Sequence, residues 1–108
     1  MSVRLMRKRP LPQHLVALAA LPNLGPVSAG WLHDAGIKTP AALRRLGAVE
    51  AFRRVVIHRG GYVSTNLLYA IDGALRGQRW DYLPPRVRIQ LKAAANAAAD
   101  SVGNRTRL

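Results

Sequence analysis

The sequence predicts an all-α domain, a compact bundle of five or six short helices that includes a helical hairpin. Three observations carry this prediction. Apolar residues recur at spacings of three and four along most of the chain, and no segment alternates with period two. Glycines and prolines cut the chain into pieces of helical length. The 108 residues, 49% of them hydrophobic and none of them cysteine, suffice for one core without disulfide staples.

The elements follow in order. Leu15, Val16, Leu18, Ala19 and Leu21 give the hairpin's first helix an apolar face. The turn is Leu21-Pro22-Asn23-Leu24-Gly25, in which asparagine is the non-glycine residue that tolerates positive φ at least cost. Pro26 opens a second helix, where a missing N–H does no harm, and Trp31, Leu32 and Ala35 continue it. Gly36 with Ile37 marks its end. Thr39 then reads as an N-cap before Pro40, so a third helix spans Pro40 to Leu46 and stops at Gly47.

Val49, Phe52, Val55 and Val56 define one face of a fourth helix running to about His58, with Arg53, Arg54 and Arg59 off most of that face. Arg59-Gly60-Gly61 breaks it. Leu67, Leu68, Ile71, Ala74 and Leu75 form a core stripe between Val63 and Gly77, with Asp72 and Arg76 as an i,i+4 pair on the outer side. Gly73 inside that helix costs about 1 kcal/mol relative to alanine, which points to close packing beneath Trp31 or Trp80. Gly77 is a natural C-cap, and Tyr69 is expected half-buried. The last helix begins at Pro84 or Pro85 and runs through Val87, Leu91, Ala94, Ala95 and Ala98. Arg88 and Lys92 lie one turn apart on its other side with no acid to pair with, as a solvated face or as part of a basic patch. The expected organisation is a basic arm over 1–11, a helical domain over 12–100 and a flexible tail over 101–108.

Seventeen Lys and Arg against five Asp and Glu give a formal charge of +12. A field of that sign favours an anionic partner, although an arginine-rich proteome produces the same bias. Part of the charge sits outside the core. Arg4, Arg7, Lys8 and Arg9 form the arm and Arg105 and Arg107 the tail, which leaves eleven basic against five acidic residues between them. Lys38, Arg88 and Lys92 join the arm as the candidate basic surface.

The hairpin resembles the helix-hairpin-helix motif, through Leu21, Pro22, Leu24, Gly25 and Ala29, with Asn23 in place of the motif's first glycine. That resemblance implies that Asn23, Leu24, Gly25, Val27 and Ser28 hold a nucleic-acid phosphate with the free N–H groups of the turn, at the positive end of the second helix. Val27 stands where such hairpins often carry Lys, and Pro26 has no N–H to offer. A broader similarity joins Asn23-Leu24-Gly25-Pro26, Ala35-Gly36-Ile37, Leu46-Gly47-Ala48-Val49 and Asn66-Leu67-Leu68-Tyr69-Ala70-Ile71-Asp72-Gly73-Ala74-Leu75-Arg76-Gly77, with Trp80 and Leu83 following. In that order and spacing the chain resembles the C-terminal domain of the TfoX/Sxy competence regulators, over roughly Leu18 to Leu91. The resemblance implies a bacterial all-α domain linked to regulation of DNA-uptake genes alongside the cyclic-AMP receptor protein. Those regulators carry an N-terminal α/β domain where this sequence has the basic arm.

Other classes find little support. The acids Asp34, Glu50, Asp72, Asp81 and Asp100 are scattered, and Ser28, Ser64 and Ser101 lack a nucleophile-elbow context. Beside the hairpin only Asp34 and Lys38 offer catalytic chemistry. His14, His33 and His58 are not at metal-ligand spacing, and no phosphate-binding glycine loop is present. The chain therefore reads as a non-enzyme without cofactor, metal or small-molecule substrate. The basic arm and apolar run imitate a secretory signal, but the run is too short and is separated from the arm by Pro10 and Pro12. With no stretch near the ~20 apolar residues of a membrane span, a cytoplasmic protein is expected. Two functions stay open: a non-sequence-specific DNA-binding module, or an adaptor that engages a transcription factor or polymerase without touching DNA.

Overall fold

A computed structural model describes residues 11–60 and 63–101, with side chains through residue 97. The arm cations Arg4, Arg7, Lys8 and Arg9, and Arg105 and Arg107 of the tail, lie outside the described residues. Six α-helices follow one another: α1 (Val16–Ala19), α2 (Pro26–Asp34), α3 (Pro40–Leu46), α4 (Ala48–Arg59), α5 (Thr65–Arg76) and α6 (Pro85–Ser101). Single 3-10 turns precede α1 (Gln13–Leu15) and α6 (Trp80–Tyr82), and no strand occurs among the described residues.

Local chemistry places most boundaries. The Thr39 hydroxyl accepts the Ala42 N–H at 3.0 Å with Pro40 at the first helical position, so α3 begins where the sequence says. Gly36 (φ 91°) ends α2 by letting Ile37 N–H reach the Leu32 carbonyl at 2.8 Å, and Gly77 (φ 74°) does the same for α5, with Gln78 N–H on the Gly73 carbonyl at 2.9 Å. The hairpin's first helix is shorter than expected. Its residues divide between the 3-10 turn and a single turn of α1; Leu15 and Leu18 are buried, Ala19 and Leu21 pack partly against the core, and Val16 faces solvent.

Helix α4 is the hub, packing against α2, α3, α5 and α6. The core runs through Leu18, Leu32, Ile37, Leu43, Val55, Leu68 and Ile71, all fully buried. α5 is enclosed more completely than an amphipathic surface helix. Every residue from Ala70 to Ala74 is buried because α4, α6 and the second 3-10 turn cover it from different sides. This corrects two expectations. Asp72 lies inside the wall, not on the outer side, with its carboxylate accepting from the Nε of exposed Arg76, while Leu75 is only half-buried. α6 differs in the opposite sense. Leu91 and Ala95 rest on the core, but Ala94 is exposed, because the helix meets α4 and α5 along a narrow strip.

One surface acid carries a pH-dependent share of the stability. The Glu50 carboxylate accepts from Arg53 Nε (3.0 Å) and Nη2 (2.7 Å) and from Arg54 Nε (2.8 Å). These hydrogen bonds, Arg53's first, hold its pKa down at about 2 against an ordinary 4.5. A depressed carboxylate pKa stabilises the fold above the unfolded value, and the contribution disappears as pH falls through the folded one. Glu50→Gln is therefore expected to lower stability at neutral pH by about 1 kcal/mol, discounted for solvent screening, with the difference from the parent closing between pH 4.5 and about 2. Urea unfolding at a series of pH values reads this directly, and a difference that persists below pH 2 would assign the effect elsewhere.

Candidate nucleic-acid interface

The turn between α1 and α2 is shaped from a distance. Asn23 has φ 70°, the one positive value among described non-glycine residues. Its side-chain amide points away from solvent: Nδ2 donates to the Gln78 carbonyl (2.8 Å) and more weakly to that of Ala70 (3.3 Å), and Oδ1 accepts the Trp80 N–H (3.0 Å). Gly73 makes room for this. A β-carbon there would stand 2.6 Å from Asn23 Nδ2, 2.8 Å from the Gln78 carbonyl oxygen and 3.2 Å from Trp80 Cα. Of the two tryptophans expected near Gly73, Trp80 is the one whose backbone stands among its nearest neighbours, with the Asn23 amide and the Gln78 carbonyl closer still.

These contacts narrow the expected phosphate set. The Asn23 side chain is committed inward, and Leu24 N–H donates to the Leu21 carbonyl at 3.2 Å. Gly25, Val27 and Ser28 remain: their N–H groups meet no acceptor among the described residues, and Gly25, as N-cap, brings no side chain over the helix end. Val27 is 65% exposed, so the first turn of α2 stands at the surface.

Beside it opens a cleft of about 470 Å³, with Val27, Ser28 and Trp31 of α2 on one wall, Ser64 and Asn66 at the start of α5 on another, and Trp80 at its end. No charged side chain among the described residues lines it. A cation stands against one of its aromatic walls: the guanidinium carbon of Arg59 sits 3.9 Å from the centroid of the Trp31 ring, a cation–π contact that holds the charge next to the cleft. Arg59, Trp31 and Trp80 were not among the expected site residues. Their proximity depends on α2 packing against α4 and on the second 3-10 turn packing against α5, which no local pattern reports.

The expected basic surface divides. Lys38 is exposed in the link from α2 to α3, whereas Arg88 (half-buried) and Lys92 (exposed) belong to a different patch on α6. Arg53 and Arg54 share Glu50, Arg76 pairs with Asp72, and Arg79 with Asp81 at 2.8 Å. The cations without an acidic partner among the described residues are thus Lys38, Arg44, Arg45, Arg59, Arg86, Arg88 and Lys92. One contact had no forerunner in the sequence reading: the rings of His14 and His33 meet at 4.6 Å, tilted by 57°.

The described residues form a small all-α domain with a surface hairpin, a neutral cleft flanked by two tryptophans and surface cations without acidic partners. Residues 16–95 match the model of the TfoX C-terminal domain family, and the chain belongs to that family. Two solved structures from Listeria monocytogenes are similar. An uncharacterized protein in a triclinic crystal form shares 38% identity with a TM-score of 0.69, over 77% of this chain and 93% of that one. A protein of unknown function in a tetragonal form shares 39% with a TM-score of 0.68, over 73% of this chain and 96% of that one. No curated protein matches the chain. No helix among the described residues is long and apolar enough to cross a membrane.

Proposed function

We propose that the domain is a non-enzymatic, cytoplasmic regulatory module of competence or transcription control that contacts DNA without sequence preference, gripping phosphate at the start of α2. The observation that carries this reading is the group of unsatisfied N–H donors on Gly25, Val27 and Ser28, with Arg59 held on Trp31 beside them. Such donors at a helix N-terminus favour an anion, and an arginine stacked on an aromatic ring is partly oriented before the anion arrives. The unpaired cations add counterion release, which is blind to sequence. No element among the described residues presents a row of side chains suited to reading base edges.

Binding is expected to be weak and steep in salt. Three to five phosphate contacts on duplex DNA give a log–log salt slope of roughly −3 to −4.5. Ser28→Asp places a negative charge at the anion site while the helix dipole favours it for folding, so it should abolish binding at unchanged thermal stability. Deleting Ser2 to Arg9 should only weaken binding. Fluorescence anisotropy with labelled duplex across a salt series decides: retention that vanishes with the arm and ignores Ser28→Asp would make the hairpin structural.

A further inference from the structure

A second surface lies on α6, apart from the hairpin. Pro85, Arg88, Ile89 and Lys92 fall on one face of the helix at helical spacing and, with Tyr69 of α5, line an open groove of about 350 Å³. Ile89 is 68% exposed, the most exposed large aliphatic side chain among the described residues, and it stands beside a row of two cations, Arg88 and Lys92, that have no acidic partner there. An aliphatic side chain beside a row of positive charges is matched by a segment that carries an apolar residue next to a row of carboxylates. We propose that this groove docks an acidic amphipathic helix of a protein partner, its carboxylates one turn apart on Arg88 and Lys92 and its apolar residue on Ile89 and the rim of Tyr69.

Charge complementarity selects this occupant over the others. A second copy of the chain cannot supply it: no two of its five acids, Asp34, Glu50, Asp72, Asp81 and Asp100, lie one helical turn apart, Glu50, Asp72 and Asp81 are held by arginines, and the chain as a whole carries +12. A nucleic acid would satisfy the two cations but leave Ile89 facing phosphate and water, with no gain from its apolar surface. The site is independent of the hairpin, so either can fail without the other.

The test uses the full chain and a labelled synthetic peptide of about 20 residues, a length at which a designed helix forms, carrying Glu at i and i+4 around a leucine stripe. A scrambled peptide of the same composition serves as comparison. Micromolar binding is expected for the ordered peptide and at least tenfold weaker binding for the scrambled one. Ile89→Ser, which leaves all charges in place on an exposed position, should weaken peptide binding about tenfold, and Arg88→Glu more than that. Arg44→Glu, the same charge change on α3, should weaken it less than threefold. Equal losses from Arg44→Glu and Arg88→Glu, or indifference to Ile89→Ser, would reduce the effect to the general field and overturn the proposal. So would duplex DNA affinity that falls with Ile89→Ser while the ordered peptide fails to bind, which would give this face to nucleic acid.

Discussion

Gly73→Ala is expected to destabilise the domain by about 2 kcal/mol, against the ~1 kcal/mol gain that alanine ordinarily brings to a helix interior. The new β-carbon would meet the Asn23 amide nitrogen at 2.6 Å and the Gln78 carbonyl oxygen at 2.8 Å, and the second of these is backbone that cannot swing aside. Asn23→Gly keeps the positive φ but strips three hydrogen bonds from partly buried backbone groups, for about 2–4 kcal/mol. The two losses should not add. With the amide gone, part of the space needed by the new β-carbon opens, so the double variant should be more stable than the sum of the singles by about 0.5–2 kcal/mol. Urea unfolding of the four proteins closes the cycle, and a Gly73→Ala variant more stable than its parent would mean that α5 is not pressed against the hairpin turn.

The core makes the second large claim. Ile71 is fully buried in the middle of α5, with a covered residue on either side of it along the helix. Ile71→Ala should cost ~2–5 kcal/mol, the spread reflecting how far α4 and α6 can settle into the gap, whereas Ile71→Leu should cost less than ~1.5 kcal/mol. A loss below ~0.5 kcal/mol on truncation to alanine would place the residue at the surface and undo the packing of α5.

The helices were legible because their ends are written locally. Thr39-Pro40 and Gly47 bracket α3, and Gly36 and Gly77 close α2 and α5 through carbonyls within a few residues. The hairpin turn was legible for the same reason, down to the positive φ of Asn23. The other half of Asn23's role was not. Its amide bonds to backbone 47 to 57 residues away, and no short-range pattern encodes an acceptor that folding delivers from the far side of the chain. Asp72 shows the same limit: its spacing to Arg76 announces the pair, but whether the pair faces water depends on how many neighbours crowd α5. Of the expected phosphate ligands, Gly25, Val27 and Ser28 keep open donors while Leu24 does not, a distinction set by one turn hydrogen bond. Arg59 on Trp31 joins two helices and had no local signal.

The clamp on Asn23 also bears on when the hairpin acquires its shape. A two-helix turn would ordinarily be among the first structures to settle, since its parts are neighbours along the chain. Here the bonds that orient it close a loop of about 55 residues, at an entropic cost on the order of 3–4 kcal/mol beyond the constant for initial contact. The turn is therefore fixed in step with α5 and the Trp80–Tyr82 segment rather than ahead of them. Fraying at the C-terminal end of α5 is expected to loosen the turn that leads into α2, since Asn23 is anchored to the Gln78 carbonyl and the Trp80 N–H. The start of α2 is coupled to the rest of the fold through Asn23, so a chain cut before Trp80, although it retains every residue of the hairpin, is expected to lose the geometry of the turn.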